Sequence, residues 1–367
     1  MKAAFYYKLY HKAVFCKNRK NEPYPFYGYR TGTALLLPRE PLKIYVFGER
    51  LQMIYLNENR IIIAEEWQEI VDRLNLRKKI DGAKTIVIKP NFTAGAYAAS
   101  KTHANSDLSL LRSCILFLAG ENPHATIYIG ESDTLGYCFA YLKFEHLGLP
   151  ESLNLPAPVA ERVRLLDLTR DRLVRVEDKK LKFYTSYGRQ LFLSRTLMDA
   201  DFRISLSNLK THDITGYTGA CKNLFGCLPD FDKSVHHPYL SKVVHDLVVA
   251  VQPDLSIVDA FYGMEKNGPI QGADVDSGFR VISDSAAEAD IYAVKAVAYP
   301  AKDIGYLKLL CQTCGISLDP DVKIIRKFAG PGYFLRAKNA LGLNIQRCGQ
   351  AIAAFGHGLY IRRGKYF

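Results

Sequence analysis

No apolar run in this chain approaches the ~20 consecutive residues that span a bilayer; "LVVAV" (Leu247 to Val251) is among the longest. The opening "MKAAFYYKLYHKAVFCKNRK" is broken by lysine, histidine and arginine, so it lacks the uninterrupted apolar stretch of a secretory leader. Cysteine is sparse, eight over 367 residues, which excludes a disulfide framework of the small secreted kind and fits reduced, packed thiols. These absences predict a cytoplasmic location. Internal repeats and low-complexity tracts are also missing. What remains is 48% hydrophobic, enough for a substantial core in one large domain or two ordinary ones, and disorder is excluded.

Acidic residues are scarce at the two ends. Residues 1 to 60 hold eleven Lys/Arg against four Glu (+7), and residues 321 to 367 hold nine against one Asp (+8). With a total of +12, residues 61 to 320 sum to 12 − 15 = −3. A polyanion would therefore meet the ends first.

The early segment is rich in tyrosine (Tyr6, Tyr7, Tyr10, Tyr24, Tyr27, Tyr29, Tyr45, Tyr55), and "KIYVF" and "QMIYL" read as a hairpin. Residues 1–75 are thus expected to form a basic, β-rich appended subdomain. From Lys84 short apolar runs alternate with amphipathic segments. "TIVIKPN", "ATIYIGES", "FRISLSNLK" and "LSIVDAF" read as buried strands. "SDLSLLRSCILFLAG" reads as a helix capped by Ser106 and ended by Gly120; "YLSKVVHDLVVAVQ" carries an apolar stripe from Leu240 to Val251. "SAAEADIYAVKAVAY" opens with a capping box, Ser285 to Glu288. The short runs of 162–196, including "RVRLLDL" and "LKFYTS", read as a β insertion. Together these predict an α/β fold, a mainly parallel sheet flanked by helices, over residues 76–330, with a basic segment 331–367 packed on it.

Ligands of such sheets sit outside the carboxyl ends of the strands. Three loops lie there: "KPNF" with Lys89 and Asn91; "NLKTHDITGYTGACKNLFG" with Lys210, Thr211, His212, Gly219, Lys222 and Asn223; and Asp259 followed by "GMEKNGPIQG" with Glu265. The lysines suit an anion, and Gly216 and Gly219 would let backbone N–H groups approach it at a helix start. The fixed glycine, lysine and hydroxyl spacing of a P-loop is absent. Set against each residue is a plainer role: a solvated lysine, a turn-forming glycine, a histidine bonded to the loop backbone. His212 suits a general base or a metal ligand, with Asp259 and Glu265 able to orient it or to hold a divalent ion such as magnesium, manganese or iron. His236, His237 and His245 read as surface or supporting residues. Cys311 and Cys314 form a C-x-x-C without the context of a thioredoxin or a cluster site, and Cys221 and Cys227 flank the lysine loop; packing thiols are the plainer reading of all four.

As a set, Lys89-Pro90-Asn91, Lys210-Thr211-His212, Thr218-Gly219, Lys222 to Gly226, Asp259, Gly263-Met264-Glu265 and Gly268-Pro269 resemble the family known as domain of unknown function 362, over about Lys84 to Val297. Some members carry ferredoxin-like cysteine clusters, so the resemblance points toward redox chemistry; here Cys311 and Cys314 are the one close pair, which makes an iron–sulfur centre the lesser expectation. Three functions are expected to compete. The first is an enzyme on a small anionic metabolite, with Lys89, Lys210 and Lys222 holding the anion and His212 moving a proton. The second is a redox protein using iron–sulfur or thiol chemistry. The third is a polyanion or nucleic-acid binder using the basic, tyrosine-rich N-terminus.

Overall fold

The computed structural model describes residues 43–47, 52–56, 62, 64–93, 102–134, 139–212, 214–266, 268–270, 272–322 and 324–328. Most of the basic, tyrosine-rich segment and the C-terminal segment beyond Phe328 lie outside the described residues.

The strands are β1 (Lys43–Phe47), β2 (Gln52–Leu56), β3 (Thr85–Pro90), β4 (Thr126–Glu131), β5 (Val163–Asp167), β6 (Leu173–Val176), β7 (Leu191–Ser194), β8 (Phe202–His212), β9 (Gly216–Thr218), β10 (Leu255–Glu265), β11 (Ala273–Asp276) and β12 (Phe279–Ser283). The helices are α1 (Ala64–Arg73), α2 (Arg77–Asp81), α3 (Leu108–Glu121), α4 (Ala140–His146), α5 (Ala157–Ala160), α6 (Phe183–Ser186), α7 (Arg195–Asp199), α8 (Ala220–Asn223), α9 (Leu240–Val251), α10 (Ala286–Ala296) and α11 (Gly305–Cys314). One sheet runs β1-β2-β12-β10-β8-β3-β4-β5, with β9 added to β8 and β11 to β10. Strands β10, β8, β3, β4 and β5 are parallel neighbours, and β12, β2 and β1 continue the sheet antiparallel. The expected hairpin at 43–56 therefore forms, and its second strand joins the main sheet through β12. Among the described residues, no helix is long and apolar enough to cross a membrane.

The strands read as near-continuous apolar runs because both faces are covered. Ile86, Ile88, Ile127, Ile129, Ile204 and Leu206 pack with α1, α2 and α3 on one face. Val87, Val258 and Val281 pack with α8 to α11 on the other. Three layers result, helices on each side of the sheet.

Local details depart from the sequence reading. Helix α3 is capped by Asp107, whose carboxylate accepts from the N–H groups of Ser109 (2.6 Å) and Leu110 (3.3 Å). Ser106 instead donates to the carbonyl of Leu206 at 2.9 Å, and the helix runs to Glu121. "RVRLLDL" supplies β5, the parallel edge of the main sheet, while β6 and β7 form a separate two-stranded sheet. "LKFYTS" holds the helical turn α6, because the Asp246 carboxylate of α9 accepts the N–H groups of Lys182, Phe183 and Tyr184. Ser285 caps α10 as the capping box predicts.

Candidate functional site

The parallel strands stand in the order β5-β4-β3-β8-β10. The chain lays down β3, moves outward through β4 to β5, then returns past β3 to β8 and β10. The loops after β3 and β8 thus leave in opposite senses, which opens a crevice at the carboxyl ends of the strands. A cavity of about 250 Å³ lies there, lined among others by Lys89, Asn91, Glu131, Lys143, His212, Thr218, Lys222, Asn223, Lys233 and His237.

Each wall is held by a hydrogen bond back to a strand. Lys89, at the end of β3, donates to Glu131, the last residue of β4, at 3.0 Å. Glu131 also accepts the N–H groups of Phe92 (3.1 Å) and Ser132 (2.9 Å), and lies 3.7 Å from the Lys143 ammonium. Lys143 donates to the carbonyl of Ser132 at 2.8 Å, and Lys233 to those of Asp133 and Asp230. Asn223 of α8 donates to the Lys89 carbonyl at 2.8 Å and to the Ser205 hydroxyl at 3.2 Å, fastening α8 across β3 and β8. Lys210 is fully buried beside the cavity, donating to Asn91 Oδ1 (2.9 Å) and the Ala104 carbonyl (2.6 Å). Gly226 packs closely, and a Cβ there would stand 3.0 Å from the end of the Lys89 side chain and 3.3 Å from Glu131 Oε1, crowding the pair.

Charge decides the character of this space. Burial works against the Glu131 carboxylate, but Lys143, Lys89 and the Ser132 N–H outweigh it and hold its pKa below the usual carboxylate value. Burial pushes the Lys210 ammonium down to about 7; Lys222 and Lys89 add to the effect, and Glu131 opposes it. Lys233 is lowered to about 8 by burial and by Lys143 and Lys89, against Glu131 and Asp230. Lysines outnumber carboxylates among the described lining residues, and Lys210 beside them and Lys233 give up their protons more readily than free lysines. His212 enters with its Nδ1 accepting the N–H groups of Ile214 (3.1 Å) and Thr215 (3.4 Å). A ring nitrogen that accepts carries no proton, so the neutral imidazole bears its hydrogen on Nε2.

Lys89, Asn91, His212, Lys222 and Asn223 share this cavity, and other residues singled out in the sequence lie elsewhere. Asp259 is mid-strand in β10, fully buried and 3.0 Å from Arg280 Nε of β12. Burial raises its pKa above the usual carboxylate value although Arg280 pulls the other way. Glu265 ends β10 and is not part of the cavity lining. Among the described residues no group of three or more His, Cys, Asp or Glu side chains is placed to hold a metal ion, so the Asp259–Glu265 ion site has no ligand set there. Thr211 donates to the Lys266 carbonyl (3.1 Å) and accepts the Gly268 N–H (3.1 Å), which ties the "NGP" loop to β8. Gly219 precedes α8, but the N–H groups of Ala220 (2.6 Å) and Cys221 (3.1 Å) donate to Asp290 of α10, so the expected backbone cradle is already filled by a carboxylate. Burial pushes Cys227 up to about 12 and Cys221 well above its ordinary value, which leaves both as packed thiols.

Several cavity residues were not among the candidate site residues read from the sequence. Glu131 ends "ATIYIGES", so the rule applied to the other strands, looking at the carboxyl end, finds it. Thr218 sits in the lysine loop, and its buried hydroxyl has no hydrogen-bond partner among the described residues. His237 lines the cavity, while His236 is buried against Asp230 at 3.1 Å. Lys143 and Lys233 come from segments whose sequence carries no signal of burial. His245 is fully buried, 2.8 Å from both Asp246 and Thr313.

Comparison with known proteins agrees with the pattern of loops. A thylakoid-associated protein, sll1697, of Synechocystis sp. (strain ATCC 27184 / PCC 6803 / Kazusa) is 36% identical over 114 residues, 29% of this chain. The chain spans about a third (34%) of that curated relative's length. The apoprotein structure of lactate racemase from Thermoanaerobacterium thermosaccharolyticum aligns over 70% of this chain and 62% of its own, at 13% identity and a TM-score of 0.39. The family described as "Domain of unknown function (DUF362)" matches residues 86–295, which take in every described cavity-lining residue, from Lys89 to Pro269, and more than half of the chain. The chain therefore belongs to the DUF362 family.

Proposed function

We propose that the protein is an enzyme that binds a small anionic metabolite in the cavity between the ends of β3, β4 and β8. The observation that carries this reading is the convergence of Lys89, Lys143, Lys222 and Lys233 on a cavity of about 250 Å³ around the ion-paired Glu131. Ammonium groups removed from water attract an anion far more strongly than solvated ones. Lys89 and Lys233 each use two of three N–H bonds on protein acceptors, leaving one for a ligand. Asn91 gives its Oδ1 to Lys210 and Thr93, so its NH2 is a further donor.

In this reading His212 acts through its Nε2–H as a hydrogen-bond donor to developing negative charge, in place of the base expected from sequence. Lys233, titrating near 8, exchanges the proton at neutral pH. Lys210 is a positioning residue that fixes the Asn91 amide. The test is a panel of small carboxylates and phosphates, scored by thermal shift and then by NMR for turnover. Anions are expected to stabilise the native protein, and His212→Gln should cut turnover about 100-fold or more with the fold intact. An absence of stabilisation by every anion, or equal stabilisation of Lys222→Gln, would sink the proposal.

A further inference from the structure

The site also discriminates among anions. We propose that the group it recognises is a phosphate, carried by a small phosphate monoester, in preference to a carboxylate. This rests on the reading of the cavity as an anion site.

Three observations carry it. The first is the kind of cation. Lys89, Lys143, Lys222 and Lys233 line the cavity, and among the described lining residues arginine is absent. Arginine's planar fork matches a planar carboxylate, whereas lysine is a point charge that can be arrayed around a tetrahedral centre with several equivalent oxygens. The second is the hydroxyl of Thr218. It lines the cavity, its residue is 3% exposed, and its oxygen has no hydrogen-bond partner among the described residues. A buried hydroxyl left unpaired is costly, so a ligand oxygen is its natural partner. The third is size and charge balance. At about 250 Å³ the cavity falls below the roughly 300–1,000 Å³ of sites for larger ligands, so the ester carries a short organic part. Two carboxylates, Glu131 and Asp232, face four lining lysines, and a phosphate monoester dianion supplies the two missing negative charges.

Isothermal titration of the full chain at pH 7.5 tests this with inorganic phosphate, glycerol 3-phosphate and malonate as probes. Lys222→Gln and Thr218→Val are the variants. The expected result is that both phosphates bind the native protein, that malonate binds at least tenfold more weakly, and that each variant loses at least about tenfold in phosphate affinity. Thr218→Val carries a second readout: its melting temperature without ligand should equal or exceed that of the native protein, because the substitution removes an unpaired buried hydroxyl. Tight binding of malonate with no binding of phosphate overturns the phosphate assignment and leaves the anion site standing. Binding of inorganic phosphate alone overturns the monoester. Phosphate binding unchanged in both variants places the phosphate elsewhere and overturns the proposal. No binding of any probe removes the anion site itself.

Discussion

Glu131 lies 3.0 Å from the Lys89 ammonium and 3.7 Å from that of Lys143, all three side chains nearly inaccessible to water. Glu131→Gln strands those charges, and stability measured by urea unfolding should fall by about 3–5 kcal/mol. The pH dependence has a definite sign. Because the folded carboxyl titrates below its ordinary value, its contribution is complete above that value and is lost as pH falls through the folded pKa. The gap between native and Glu131→Gln should thus narrow as pH falls below the ordinary glutamate value of about 4.3. The lysines act in the opposite direction on ligand affinity. Lys210 titrates near 7 among Lys222, Glu131 and Lys89, and Lys233 near 8 among Lys143, Glu131, Asp230 and Lys89. A bound anion favours their charged forms, so binding takes up protons, and affinity should fall between pH 7 and 9 by up to about tenfold per pH unit for each lysine that must be charged. Titration calorimetry across that range checks it, and Lys210→Met should flatten the lower part of the profile.

Helix α8 is the element on which the site turns, since it carries Lys222 and Asn223 and is seated by Asp290. Burial lifts the Asp290 carboxyl to about 7, against the N–H groups of Cys221 and Ala220, so this seat is made at a cost. A Cβ on Gly219 would stand 2.2 Å from both Asp290 Oδ1 and the Tyr217 hydroxyl oxygen. Gly219→Ala should therefore cost about 1–3 kcal/mol or more and weaken anion binding as α8 shifts. Gly120→Ala is the control: it meets nothing within 4 Å near the end of α3, and should stabilise by up to about 1 kcal/mol without touching affinity. Strands β3, β4, β8 and β10 and helices α9 and α10 are visible in their apolar period and capping box. The loops after β3 and β8 are visible as donors because a lysine or asparagine stands where the apolar run stops. Asp259 misleads for a physical reason: β10 does not stop there but continues to Glu265 after a shift of register, so the aspartate lies inside the sheet, paired with Arg280. Lys143 and Lys233 are illegible because each is buried by bonds to carbonyls in another segment, Ser132 for one and Asp133 for the other.

Over the whole chain the basic excess lies at the ends, +7 and +8, while residues 61 to 320 sum to −3 and yet contain the lysine cavity. The lysine cluster is thus a local concentration of charge within a stretch that is net negative, and Lys89, Lys143 and Lys233 in it are buried. Salt should weaken phosphate binding only slightly between about 50 and 500 mM, because buried charges are screened far less than exposed ones. Any attraction of nucleic acid to the ends should fall steeply over the same range, and titrations at several salt concentrations separate the two. The seat of α8 has a further consequence, in the order of events as the chain is made. Every described residue lining the cavity precedes residue 270, but the carboxylate that caps α8 lies 70 positions after Ala220. A chain emerging from the ribosome will present the whole lysine cluster before it can seat the helix that aims Lys222. Completion of the site is therefore a late step of synthesis, and a product cut short before Asp290 would carry every cavity residue without a working cavity.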